Sequence, residues 1–206
     1  MTEVTSDVSR GQFIRNAAKG SVVLVGAGGV LATMDGVAFA KGTTKSDITI
    51  LQTGYIAETL AVTIYEAIVK TYYAKFKLGN KDYFTHALAN EKAHRAAWKT
   101  ALGSRHTPKG FKLTVPAKYV SSRHALLKTG VTLEEAFVST YLGAVEKFSS
   151  VDLKEAAAGV AANEATHYSF LDAAYGGHAV LPAFGPKPIS AAKAASTLAS
   201  LGFLRS

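Results

Sequence analysis

Two segments of this chain place a carboxylate and an imidazole at the same spacing: Glu91-Lys92-Ala93-His94 and Glu164-Ala165-Thr166-His167. Residues three apart on a helix share a face. Each segment can therefore offer a carboxylate oxygen and a ring nitrogen to one centre. Nine Glu and six His among 206 residues would give about 0.3 such matches by chance, so one alone would mean little. Each match is also preceded by a further Glu, Glu58 lying 33 positions before Glu91 and Glu134 lying 30 before Glu164. Each half of the chain thus reads as a helix with a Glu, then a helix with Glu-x-x-His. The midpoint of 134 and 164 falls at Ser149, within Ser149-Ser150-Val151, which reads as a turn. Helices folding back there bring both carboxylates to one height, about 20 Å from the turn at 1.5 Å per residue.

The surrounding sequence supplies the helices. The first is expected over about 46–73, opened by Ser46-Asp47 as a cap. It ends before Lys77-Leu78-Gly79-Asn80. The second runs from about Asp82 to Leu102 and closes at Gly103. Residues 103–131, with Pro108, Gly110, Pro116 and Gly130, read as a long crossover that can hold a short helix over Tyr119–Lys128. The third starts at Thr132, with Glu135 three places later, and runs to Phe148. The fourth spans Asp152–Tyr175 and stops at Gly176-Gly177. A tail with Pro182, Pro186 and Pro188 leads to a short Ala-rich helix from about Ser190. No strand alternation of any length appears. Short hairpin, long crossover, short hairpin is the connectivity of an all-α antiparallel four-helix bundle with a single crossover.

Four Glu and two His directed into one bundle make the ligand set of di-iron and di-manganese carboxylate proteins. The chain resembles the ferritin-like superfamily over about residues 46–206, and within it the bacterial exported ferritin-like domain proteins, relatives of the rubrerythrin and ferritin bundles. Ile50-Leu51-Gln52-Thr53-Gly54-Tyr55-Ile56-Ala57-Glu58 is similar to that group's opening helix. Leu133-Glu134-Glu135-Ala136-Phe137-Val138-Ser139-Thr140-Tyr141-Leu142-Gly143 is closer still to its third helix, and Leu181-Pro182-Ala183-Phe184 to its tail. The resemblance implies Glu134, not Glu135, as the third-helix ligand. Ala61 stands where the group often carries a second acidic residue, which leaves Glu58 as the first-helix ligand. The metal ligands expected are Glu58, Glu91, His94, Glu134, Glu164 and His167. They would hold two Fe or Mn ions about 3.5–4 Å apart, as in other two-metal sites. Glu91 and Glu164 would bridge, and Glu58 and Glu134 would be terminal on opposite metals. Four carboxylates in an apolar core would repel and lose their solvation, and two divalent cations cancel that charge. The function expected is oxidoreductase or ferroxidase-like chemistry on dioxygen, peroxide or Fe(II). The alternative is a non-catalytic metal-binding or stress-related structural protein of the envelope.

Other residues read differently. His86, His106, His124 and His178 fit no pattern and suit surface or loop roles. Glu66 lies off the face of Glu58 and reads as exposed. Tyr65, Trp98, Tyr141 and Leu171 each follow one of the four Glu by seven positions. They read as one core layer two turns from the metals, with a redox or supporting role for Tyr65 or Tyr141 as the alternative. Asp172 is a weaker candidate for orienting a histidine.

Composition narrows the rest. Cysteine is absent, which excludes disulfides, thiolate zinc sites, cysteine-ligated clusters and cysteine nucleophiles. The net charge of +8 sits in residues 41–206, as twenty basic against twelve acidic residues. Such a surface suits loose association with an anionic envelope surface, and nothing in it calls for nucleic acid. A homo-oligomer is compatible with the sequence. Residues 1–40 read as an export signal: Arg10, Arg15 and Lys19, a weakly apolar run over Ser21–Met34, then Ala38-Phe39-Ala40 as a small-residue cleavage site. Ser9-Arg10-Gly11-Gln12-Phe13-Ile14-Arg15 resembles a twin-arginine motif with Gly11 in place of the second Arg. Sec export and an uncleaved anchor are the alternatives. The domain proper would then be 41–206, in the periplasm or extracytoplasmic envelope.

Overall fold

The computed structural model describes residues 43–178 and 185–205. The expected export segment, 1–40, and the tail motif at 181–184 lie outside the described residues. Five helices carry the fold: α1 (Lys45–Ala67), α2 (Lys81–His106), α3 (Arg123–Lys147), α4 (Val151–Tyr175) and α5 (Ala191–Ser200). α1 packs mainly on α2, and α3 on α4. None of the described helices is long and apolar enough to cross a membrane.

The cap of α1 is Thr44, two residues before the expected start. Its hydroxyl accepts from Asp47 N at 3.1 Å, while Asp47 accepts from Thr44 N at 2.8 Å, a reciprocal capping box. The same buried carboxylate accepts from Ser149 N at 2.9 Å and Ser149 Oγ at 2.5 Å. Asp47 thereby ties the start of α1 to the turn between α3 and α4. The far end of α1 widens into a π-helical turn, Ile68–Tyr72, then one α-helical turn, Tyr73–Phe76. Asn80 caps α2 through Tyr83 N at 3.1 Å. Gly103, at φ 60°, breaks α2 where the sequence places its end, and one further turn runs to His106.

The third helix departs from expectation. It begins at Arg123, capped by Ser122, nine residues before Thr132. Thr132 sits inside it, its hydroxyl bonded to Lys128 O at 3.0 Å, as mid-helix threonines do. Gly130 is also helical. A Cβ there would lie 2.9 Å from Leu171 Cδ1, so a larger residue would need the Leu171 side chain to shift. The crossover therefore spans only 107–122. At about 3.3 Å per extended residue, that length still covers the roughly 37 Å of a 25-residue helix.

The crossover contains a 3₁₀ turn, Ala117–Val120, and a two-residue strand, β1 (Lys112–Leu113). β1 pairs antiparallel with β2 (Leu204–Arg205), a contact the sequence does not announce. Tyr119 stacks on Phe203 and donates to Leu201 O at 3.1 Å. Pro116, Tyr119 and the chain end thus close one side of the bundle. Upstream, Ile189 N donates to Ser139 O at 2.9 Å. Gly143 makes that approach possible, since a Cβ there would meet Ile189 O at 2.0 Å.

Candidate metal centre

Glu58 on α1, Glu91 and His94 on α2, Glu134 on α3, and Glu164 and His167 on α4 are all buried, each at 3% exposure or less. Their donor atoms form two overlapping sets, each spanning no more than 4.8 Å. One comprises Glu58, Glu91, His94 and Glu164, and the other Glu91, Glu134, Glu164 and His167. Glu91 and Glu164 belong to both. All six residues singled out in the sequence therefore meet in one place.

The contacts are reciprocal. His94 Nδ1 lies 2.8 Å from Glu164 Oε1, and His167 Nδ1 lies 2.8 Å from Glu91 Oε1. Tyr65 donates to Glu134 Oε1 at 2.6 Å, and Tyr141 donates to Glu58 Oε1. Each exchange runs from the later residue of one helix to the earlier Glu of another. α1 and α3 are therefore antiparallel, as are α2 and α4, and an approximate two-fold axis relates the halves. The sequence carries the same duplication. Gly54, Glu58 and Tyr65 recur 76 positions later as Gly130, Glu134 and Tyr141, and Asn90, Glu91, His94 and Trp98 recur 73 later as Asn163, Glu164, His167 and Leu171.

This symmetry corrects the single core layer expected for Tyr65, Trp98, Tyr141 and Leu171. In helices running opposite ways, seven residues past each Glu leads to opposite ends of the site. Trp98 and Tyr141 stack on one side, with Trp98 Nε1 donating to Tyr141 Oη at 2.9 Å. Tyr65 and Leu171 lie on the other. The tyrosines are also more than packing, because both hydroxyls bond directly to the Glu carboxylates.

Burial decides the electrostatics. Burial first, then the charge of Glu164, pushes the Glu58 and Glu134 carboxyls well above the ordinary range. Burial also works against ionising Glu91 and Glu164, but the adjoining histidines outweigh it and hold both below the ordinary value. His94 and His167 follow the same logic with opposite sign. Burial disfavours their cations, yet the facing carboxylates raise both well above the ordinary imidazole value. Without metal, the environment favours the charged forms of Glu91, Glu164, His94 and His167 and the neutral forms of Glu58 and Glu134.

That balance leaves atoms unsatisfied. Glu58 Oε2, both oxygens of Glu91, Glu134 Oε2, Glu164 Oε1 and His94 Nδ1 are buried with no aligned hydrogen-bond partner. The close His94–Glu164 approach is thus an ion-pair contact, not a directed hydrogen bond. Orphaned buried acceptors cost free energy unless something engages them. Oxygen and imidazole donors converging in this way suit a divalent cation.

Two features escaped the sequence reading. Asn90 and Asn163 each immediately precede a site Glu. The Asn90 amide lies 3.4 Å from His167 Nε2, on the ring edge away from the carboxylates. With its oxygen turned to Nε2, it would keep that nitrogen protonated and leave Nδ1 free for a metal. The repeat Asn-Glu-x-x-His was the available signal. Tyr83 is the second. It stacks on Phe170 at 3.4 Å and packs edge-on to His167, with no counterpart in the other half to reveal it. Asp172 does not orient a histidine, as its carboxylate accepts from His178 N at 2.9 Å at the helix end. Glu66 pairs with Lys92 at the surface.

A family model for the ferritin-like domain matches residues 46–177. The chain belongs to the ferritin-like domain family. No curated protein shows detectable similarity to it.

Proposed function

We propose that this bundle holds two iron or manganese ions and acts as an oxidoreductase of the ferroxidase-like type on dioxygen, peroxide or Fe(II). One observation carries the reading: two overlapping donor sets share Glu91 and Glu164, and both oxygens of Glu91, Glu164 Oε1, Glu58 Oε2 and Glu134 Oε2 are buried with no aligned hydrogen-bond partner. Glu58, Glu91, His94 and Glu164 would hold one ion, and Glu91, Glu134, Glu164 and His167 the other. Bound there, the pair would supply electrons and open coordination positions for an oxygen species. The chain's own residues set the conditions. The enclosing aliphatic side chains exclude water, which strengthens each ion–carboxylate contact. Tyr65 and Tyr141 fix the terminal carboxylates and keep one oxygen of each directed inward. His94 and His167 hold the protons that must leave before a cation can bind.

The deciding experiment is metal analysis of the protein from its native compartment, with Glu91→Ala, Glu164→Ala and Glu135→Ala in parallel. Two iron or manganese ions per chain are expected in the wild type and in Glu135→Ala, and few or none in the other two. Equal content in all four proteins would sink the reading. Metal without dioxygen or peroxide consumption would leave the non-catalytic alternative. The charge and small-residue pattern of residues 1–40 further supports export. N-terminal sequencing of native protein should begin at or near Lys41, and an intact Met1 on a cytoplasmic protein would refute this.

A further inference from the structure

The two-fold relation breaks beside the Glu134 carboxylate. On the Glu58 side, Trp98 stacks on Tyr141, and a Cβ at Gly54 would lie 3.4 Å from Tyr141 Oη and 3.5 Å from the Trp98 ring. On the Glu134 side, the position equivalent to Trp98 is Leu171, and a cavity of about 20 Å³ remains. Its walls include Ala61, Ile68, Leu126, Phe137 and Leu171, and Tyr65 and Glu134 form its inner edge. A cavity needs about 10–15 Å³ to take one water-sized molecule, so this one accepts a single small guest. Water is a poor occupant, because it needs two to four polar partners. Among the described lining residues only Tyr65 and Glu134 carry polar side-chain atoms; Tyr65 Oη and Glu134 Oε1 already bond each other, which leaves Glu134 Oε2 as a single unengaged acceptor. The outer wall at Ile68 begins the π-helical turn of α1, a distortion frequent beside functional sites.

We propose that this cavity is a docking site for a small uncharged apolar molecule of dioxygen size, so that such a molecule reaches the centre from the Glu134 side alone. The reactivity consequence rests on the di-metal reading above, whereas occupancy of the cavity does not. The exchange of Trp98 for Leu171 across the two-fold axis opens the space. Leu171→Trp restores the large ring on this side. Ala61→Phe fills the same space from α1, matching Phe137, which stands 76 positions later.

The test is krypton-pressurised crystals of the wild type and both variants, with metal content and dioxygen consumption measured in parallel. One krypton is expected among Ile68, Leu171 and Glu134 in the wild type, with none beside Trp98 and none here in either variant. Both variants should keep wild-type metal content, and the one or both that fold should consume dioxygen roughly tenfold more slowly. An empty wild-type cavity, or krypton equally present beside Trp98, overturns the proposal. So does a metal-filled variant that lacks krypton yet consumes dioxygen at the wild-type rate. Loss of metal from the wild type on analysis would instead sink the di-metal reading and leave the krypton result to stand by itself.

Discussion

Titrating Mn(II), or Fe(II) under anaerobic conditions, into metal-free protein near neutral pH should release protons, up to about four per filled site. The count comes from four groups. Glu58 and Glu134 are drawn towards their protonated forms because burial, then the Glu164 charge, raises them well above the ordinary carboxylate range. His94 and His167 keep theirs because facing carboxylates overcome burial and raise them above 6.5. Glu91 and Glu164 are already ionised and contribute none. Each displaced proton makes binding stronger by about 1.4 kcal/mol per pH unit, so apparent affinity climbs steeply with pH. The metal-free fold has the opposite dependence. Its four raised groups lend stability that is fully present below their unfolded values and is lost as pH rises towards the folded ones. The loss begins above about 4.5 for the carboxyls and steepens above about 6.5 for the imidazoles. Glu91 and Glu164, held low, act in reverse and lose their contribution as pH falls through their folded values. Calorimetry in two buffers of different ionisation enthalpy counts the protons, and thermal melts across pH follow the stability. Release of fewer than about two protons, or an affinity independent of pH, would refute the assigned protonation states.

Tyr141→Phe removes the donor to Glu58 and the acceptor for Trp98 Nε1. It should cost about 1–3 kcal/mol in chemical denaturation and shift the emission of Trp98. Asp47→Ala abolishes the α1 capping box and both bonds to Ser149, and should cost roughly 2–4 kcal/mol in the same assay. Gly143→Ala drives a methyl into Ile189 O. It should raise hydrogen exchange in α5 while the metal content stays at the wild-type level, and unchanged protection of α5 would count against that docking.

What the sequence determined by itself was the periodic part. The two Glu-x-x-His pairs, a Glu on each preceding helix and the two antiparallel helical hairpins follow from local spacing, because a helix converts sequence separation into height and face, whereas the choice of Glu134 over Glu135 came from the family resemblance. Tertiary structure decided whatever depends on a neighbour. Thr132 and Gly130 resemble a helix start and a break, yet both lie inside α3, where packing on α4 brings Leu171 Cδ1 to 2.9 Å from where a Cβ of Gly130 would stand. Tyr65 and Tyr141 look like packing when each is placed on its own helix. Only the antiparallel pairing of α1 with α3 carries each hydroxyl to the other helix's glutamate. The cavity beside Glu134 has the same origin. Leu171 in place of a Trp is an unremarkable core residue in the sequence. It becomes an opening only because the two-fold relation sets it opposite Trp98, where the volume of one side chain decides whether the space is filled.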